Sequence, residues 1–332
     1  MALAQSWHEI RIVFKNMRIQ YPRLDAAHII FDDLRRSRSD VQGEQDFVTC
    51  FAPSQAGKST IVRSYIEKRV VPDCIERGLF APDTAIKTII ANQHLVLHVT
   101  LNDKASKRSV ASDILTALGD PTPTTGSGDT LLQRAYDLCR KMGVELIVLD
   151  EVQHLQGKTP RDMSEGSSAS NTLKVMLIRG LVPFVFMGTE AASALLEDKQ
   201  FSFREAGSLN ISKFDSANVE DYQTFRNYCG KTGILLQERG LFEERSSFVS
   251  DFIVDCIFEV SGGLLGIASR LIMHAAKRAW EEKVRQVTVD HLEYATDFWA
   301  IRKLALLNRN PFREKPLRQL TPPAHQIRVR EA

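Results

Sequence analysis

Apolar residues fall into two registers along this chain. Short unbroken or β-branched runs at Asp46–Phe51, Ala85–Ala91, Leu95–Leu101, Glu145–Leu149, Leu181–Met187 and Leu209–Phe214 each predict a strand. Between them, apolar positions three and four apart predict helices at Ser6–Arg18, Arg23–Arg36, Ser59–Val70, Ser109–Leu118, Thr130–Met142 and Thr172–Arg179. Tyr21-Pro22 separates the first two, because proline can begin a helix but not continue one. Gly157–Asn171, polar and rich in Gly and Ser, reads as a surface loop. Strands alternating with helices imply an α/β fold, a parallel sheet with helices on both faces. Past Ser216 the strand signals cease, and Val219–Cys229, Ser247–Val260, Gly266–Val284 and Asp290–Leu307 are helical in period, with capping residues for the last at Thr288-Val289-Asp290. From Asn308 onward, Pro311, Pro316, Pro322 and Pro323 predict an extended tail. The expected organisation is an N-terminal helical segment (1–40), an αβα core (41–215), a helical lid subdomain (216–308) and a basic, proline-containing tail (309–332).

Composition agrees with a folded chain: 332 residues, 43% hydrophobic and 25% charged, are ample for one large domain or two packed ones. No stretch approaches the roughly 18 apolar residues of a membrane-spanning helix, and Met1–Glu9 lack the order of a signal peptide, so a cytoplasmic protein with no membrane partner is expected. Cys50, Cys74, Cys139, Cys229 and Cys256 are odd in number and free of C-x-x-C pairs, which argues for buried, reduced thiols rather than disulfides or structural zinc. The net charge of +2 hides an asymmetry. From Arg302 to Ala332 eight Lys/Arg face two acids, Glu314 and Glu331, for a local +6.

The strongest chemical signal is Ala52-Pro53-Ser54-Gln55-Ala56-Gly57-Lys58-Ser59-Thr60, placed between a strand and a helix. A phosphate chain needs inward backbone N–H groups, a helix N-terminus, a lysine for the β/γ oxygens and a hydroxyl for Mg²⁺, and Gly57, Lys58 and Ser59 match the end of the G-x-x-x-x-G-K-[ST] pattern. Ala52 replaces its first glycine, which the loop tolerates if φ there is negative. Leu146-Ile147-Val148-Leu149-Asp150-Glu151 puts two acids at the end of a strand, with Asp150 92 residues beyond Lys58. In a parallel sheet they share the carboxyl edge with the phosphate loop, where Asp150 suits Mg²⁺ and Glu151 suits activation of water for attack on the γ-phosphate of ATP. The next strand ends at Gly188-Thr189, where Thr189 is placed to orient that water; helix capping is the plainer alternative.

This order of phosphate loop, Asp-Glu strand end, Gly-Thr strand end and helical lid resembles the AAA+ P-loop ATPases. Within them, Tyr21-Pro22-Arg23, Leu149-Asp150-Glu151-Val152-Gln153-His154-Leu155, Gly188-Thr189 and Ser261-Gly262-Gly263-Leu264-Leu265-Gly266 look like the TniB/TnsC family of transposition regulators, over about residues 15 to 300. The resemblance implies an ATP-dependent ring or filament on double-stranded DNA. It also implies contacts with transposase subunits and with a target selector, either TniQ-like or a sequence-specific DNA-binding protein. It assigns Arg204 to completing a neighbouring subunit's nucleotide site. Related lids carry an arginine where this chain has Gly266, so either Arg270, one turn later, is the substitute that touches the γ-phosphate, or the lid senses nucleotide weakly.

For such an assembly DNA contacts are expected from Lys104, Lys107 and Arg108 after the strand ending at Leu101, and from Lys158 and Arg161 after the Asp-Glu element. These segments mix basic with Ser/Thr residues and carry no aromatics, which suits sequence-independent phosphate contact. The tail could add DNA affinity, or dock on a transposase through Asn310-Pro311-Phe312 and Leu317. A DNA-repair or replication motor or loader, and a nucleotide-gated scaffold that never meets DNA, remain competing readings.

Overall fold

A computed structural model describes residues 6–40, 45–102, 106–155, 171, 173, 175, 177, 182–197, 203–250 and 252–314. The chain divides into two compact units, Gln20–Lys213 and Met1–Ile19 with Phe214–Ala332.

In the Gln20–Lys213 unit, β1 (Phe47–Phe51), β2 (Val96–Thr100), β3 (Leu146–Asp150), β4 (Phe184–Gly188) and β5 (Glu205–Ser208) form one parallel sheet in the order β2-β3-β4-β1-β5. Every residue of β3 and β4 is buried, as central parallel strands covered on both faces must be. Leu97, Val99, Ile147, Leu149 and Phe186 pack on one face with apolar residues of α6 (Lys107–Ala117) and α7 (Gly128–Met142). The alternate residues Val48, Cys50, Leu146, Val148 and Met187 are equally buried on the other. There α2 (Pro22–Asp40) packs on β3 and on α3 (Lys58–Tyr65), with the rings of Phe31 and Tyr65 edge to face at 5.1 Å. Arg35, 8% exposed, holds Asp73 and Glu145 at 2.5 Å each, tying α2 to the residue before β3.

Three element expectations are corrected. Ala85–Ala91 is not a strand but α5 (Ile86–Asn92): only Ile89 is buried while Ile86 and Ile90 are exposed, a burial pattern no sheet face would produce. The helix expected to end at Val70 passes through a π turn at Ile66–Val70 into α4 (Val71–Glu76), with Pro72 in the first turn, where its missing N–H costs least. The last strand is Glu205–Ser208 and not Leu209–Phe214. The Leu209 N–H still reaches Thr49 O at 2.7 Å, but Leu209 and Ile211 are then buried without strand pairing.

The other unit is helical: α1 (Trp7–Asn16), α8 (Val219–Glu238), α9 (Ile253–Ser261), α10 (Leu265–Glu281), α11 (Val289–Ala295) and α12 (Pro311–Glu314). Between α9 and α10, Gly262 and Gly263 have φ of +56° and +78°. A Cβ on Gly263 would stand 2.2 Å from Phe214 O, and the Phe214 N–H donates to Gly263 O at 3.0 Å. Gly263 is therefore required by a backbone clamp, whereas Gly262 has open space around it and is favoured by its left-handed φ alone. Before α11 the Thr288 N–H donates to His291 Nδ1 at 2.9 Å.

The extended tail is corrected over its first residues. Asn310 donates through Nδ2 to Glu293 O and Asp297 Oδ1, both at 2.9 Å, Pro311 opens α12, and Phe312 is 1% exposed. Arg309 pairs with Glu259 at 2.6 Å and with Glu314, and Arg313 pairs with Glu293 at 2.9 Å and with Asp297. Phe312 is thus a core residue rather than an exposed docking anchor, and two of the tail's cations are paired within the unit. Leu317 and the rest of 315–332 lie outside the described residues. All five cysteines are buried free thiols, and among the described residues no single helix is long and apolar enough to cross a membrane.

Candidate nucleotide site

Because β3, β4 and β1 are neighbours, the segments leaving their carboxyl ends gather at one edge of the sheet. The first is the loop from Ala52 to Gly57, leading into α3. Ala52 is fully buried, is not among the residues with positive φ, and donates its N–H to Gly188 O at 3.1 Å, so alanine fits where the glycine pattern is broken. Gln55 and Gly57 take the left-handed conformation, at φ +68° and +105°. No side chain caps α3, whose cap residue is Gly57. Pro53 is half-buried, Ser54, Gln55 and Thr60 are exposed, and Ala56 is buried.

Lys58 is 8% exposed, and its Nζ donates to Ala52 O at 2.5 Å and Pro53 O at 3.1 Å. The ammonium is therefore held in the mouth of the loop by acceptors that a phosphate oxygen could replace. Next to it, Ser59 Oγ donates to Asp150 Oδ2 at 3.0 Å. Asp150 is 3% exposed and also meets His98 Nε2 at 3.4 Å and the Glu151 N–H at 2.9 Å. Burial alone would raise its carboxyl pKa, but the contacts with His98, Ser59 and the Glu151 N–H outweigh burial and hold it below the usual carboxylate value. An ionised carboxylate beside a hydroxyl offers the hard oxygen donors that Mg²⁺ prefers, with phosphates and water completing its shell. Among the described residues no group of three or more His, Cys, Asp or Glu could hold a metal by itself.

Glu151 has φ +62°, a conformation that costs a non-glycine residue on the order of 1 kcal/mol or more. It opens a tight turn, Val152–Leu155, in which the His154 N–H donates to Glu151 O at 3.0 Å. Gln153 donates through Nε2 to the Glu151 carboxylate, and its Oε1 accepts the Thr189 N–H at 3.1 Å. Glu151 and Thr189 are thus joined by one amide, and Gly188 leaves room for it: a Cβ there would stand 2.7 Å from Gln153 Oε1.

The structure brings Lys58, Ser59, Asp150, Glu151 and Thr189 to one edge. It places Arg204 at the opposite, amino end of the sheet, half-buried, with its carbonyl accepting the Phe47 N–H at 3.1 Å, so Arg204 does not join this cluster in its own subunit. Arg270 is exposed on α10 of the helical unit. Lys107 pairs with Asp129, and Arg108 donates to Thr124 O at 2.8 Å. Lys104, Lys158 and Arg161 lie outside the described residues. Sequence reasoning missed His98 and Gln153. A lone polar residue inside the apolar run of β2 was the signal for His98; Gln153 was visible only as part of the D-E-x-Q-H-L stretch.

Residues 41–196 match the family model described as an AAA domain. No curated protein matches the chain. Among solved structures the chain is similar to the Aeropyrum pernix ORC1 protein in complex with DNA, at 17% identity over 86% of this chain and 68% of that one, with a TM-score of 0.60. The Aeropyrum pernix ORC2 protein in ADPNP-ADP complexes matches at 15% identity over 87% and 71%, TM-score 0.58. Cdc6p from Pyrobaculum aerophilum matches at 13% over 86% and 70%, TM-score 0.55. These likenesses show the fold: the chain has the AAA+ P-loop fold.

Proposed function

We propose that this chain is a regulatory ATPase that assembles on duplex DNA in its ATP-bound state and links target-site selection to transposase recruitment, with hydrolysis driving disassembly. The observation that carries the ATPase part is the convergence of Lys58, the Ser59–Asp150 pair and Glu151 at the edge of the sheet where α3 opens without a side-chain cap. In this reading residues 53–60 cradle the phosphates and Lys58 exchanges its loop carbonyls for phosphate oxygens. Ser59 and Asp150 hold Mg²⁺, which neutralises phosphate charge. Glu151 accepts a proton from the attacking water, which Thr189 orients. Arg204 acts on a neighbouring subunit's nucleotide, Arg270 is the lid residue that senses it, and Lys107 and Arg108 are two of the DNA contacts.

The transposition part rests on the resemblance of the D-E-x-Q-H-L stretch and the glycine-rich lid motif to TniB/TnsC proteins. One observation favours a second reading, a replication-type initiator or loader: the likeness of fold to the ORC1 protein bound to DNA. Electron microscopy with duplex DNA and a non-hydrolysable ATP analogue tests assembly, and rings or filaments are expected only with nucleotide. Equal assembly without nucleotide overturns the proposal, and no DNA binding in either condition favours a scaffold. Strand unwinding or translocation favours a motor, whereas slow, DNA-stimulated hydrolysis favours a regulator. Glu151→Gln is expected to lower turnover about 10²- to 10⁴-fold while leaving ATP-dependent DNA binding intact.

A further inference from the structure

We infer that Gln153 is a positioning residue for hydrolysis: its amide fixes the Glu151 carboxylate relative to Thr189, so that the base and the water-orienting strand end act as one unit. The inference rests on the hydrolytic reading of this site. Three features of the local structure carry it.

First, Glu151 sits in the left-handed region at φ +62°, a conformation that holds only if the surroundings over-determine it. Its N–H and carbonyl are both engaged, by Asp150 Oδ1 at 2.9 Å and the His154 N–H at 3.0 Å, but these bonds set the backbone and not the carboxylate. The side chain is oriented by the Gln153 amide. Second, that amide has both ends engaged. The N–H end donates to Glu151 and the oxygen accepts from Thr189, so a carboxylate at this position could not replace it: it has no hydrogen to offer Glu151 and would set charge against charge. Third, the base of Gln153 is anchored by burial. Its neighbour Val152 and the turn's last residue, Leu155, are 0% and 2% exposed, while Gly188 admits the amide where any Cβ would strike its oxygen. The bond from Gln153 uses Oε2 of Glu151 and not Oε1.

Gln153→Met keeps the length of the side chain and its apolar stem while removing both bonds. The expected result is a fall in kcat for ATP hydrolysis of about tenfold to a hundredfold, the effect of a base displaced by about an ångström, with KM for ATP changed less than about twofold. In the Glu151→Gln background the same substitution should cost nothing further, because it acts through Glu151. Gln153→Glu, which keeps the shape of the side chain but has no hydrogen to offer Glu151, should give the same kcat-selective loss and serves if Gln153→Met fails to fold. Wild-type kcat in both variants, a rise in KM at unchanged kcat, or a full additional loss on top of Glu151→Gln would each overturn the inference. The two readings separate cleanly. If Glu151→Gln turns over at the wild-type rate, the hydrolytic reading falls and takes this one with it; if Glu151→Gln is inactive while Gln153→Met is unaffected, only this one falls.

Discussion

Lys58 and Lys107 occupy formally equivalent places, each the first residue of a helix, α3 or α6, that follows the carboxyl end of a strand, β1 or β2. Their surroundings differ in the one respect that decides what a helix N-terminus can bind. α6 is closed by its own sequence: Ser106 Oγ accepts the Ser109 N–H at 3.2 Å, Ser109 Oγ accepts the Ser106 N–H at 2.7 Å, and Lys107 turns away to Asp129. α3 is capped by Gly57, which has no side chain to offer: the Thr60 N–H meets Gly57 O at 2.9 Å, no side chain closes the N–H groups of Lys58 and Ser59, and the Lys58 side chain is folded back over the loop that leads to them. One terminus is finished by the protein's own side chains; the other has no side-chain cap and is the one that the proposed function gives to the nucleotide.

The sharpest way to break this comparison is to truncate each lysine. Lys58→Ala removes the buried ammonium held by the Ala52 and Pro53 carbonyls, which the proposed function assigns to phosphate oxygens, and should weaken nucleotide binding on the order of a hundredfold, read by titration with a fluorescent ATP analogue. Lys107→Ala in the same titration should leave affinity within about twofold. Equal losses would mean that the two termini are not distinguished by capping. The caps themselves give the next effect in size. Ser106→Ala should destabilise the Gln20–Lys213 unit by about 1 kcal/mol in a denaturant melt, the usual worth of an N-cap, with nucleotide affinity unchanged.

How far these differences can be read in the sequence depends on whether they are local. β3 and β4 are legible because strands buried on both faces must be apolar at every position, and the G-K-S following a strand marks the phosphate loop by its own chemistry. β5 is not, since Glu-Ala-Gly-Ser carries no apolar signal and is a strand only because β1 pairs with it. The β-branched residues of Ala85–Ala91 speak for a strand, yet the segment exposes Ile86 and Ile90 and winds as a helix. At the start of the tail, prolines alone suggest extension, but Asn310-Pro311 is also a helix-opening pair, and Phe312 supplies the buried side chain that makes it one. The Gln153 bridge lies further from sequence than any of these. Its bond to Thr189 spans 36 positions and depends on the missing Cβ at Gly188. Charge is the least legible property: the count of Lys and Arg is fixed by composition, while Arg309, Arg313 and Lys107 are paired by tertiary structure.

That pairing bears on the smallest expected effect, at the proposed DNA contacts. The Lys107 side chain is 33% exposed and its partner Asp129 is 85% exposed, so the bond between them is a surface ion pair worth about 0.2–1 kcal/mol. A duplex carries a much denser array of charge, and releasing its counterions favours exchange of Asp129 for a phosphate. Lys107→Ala should therefore lower the slope of log affinity for duplex DNA against log salt by about 0.9, the value of one phosphate contact. Asp129→Asn, which frees the lysine beforehand, should tighten binding slightly without changing that slope. A slope unchanged in Lys107→Ala would mean that the ion pair survives on DNA, that α6 is closed in function as well as in structure, and that the duplex is held by other residues.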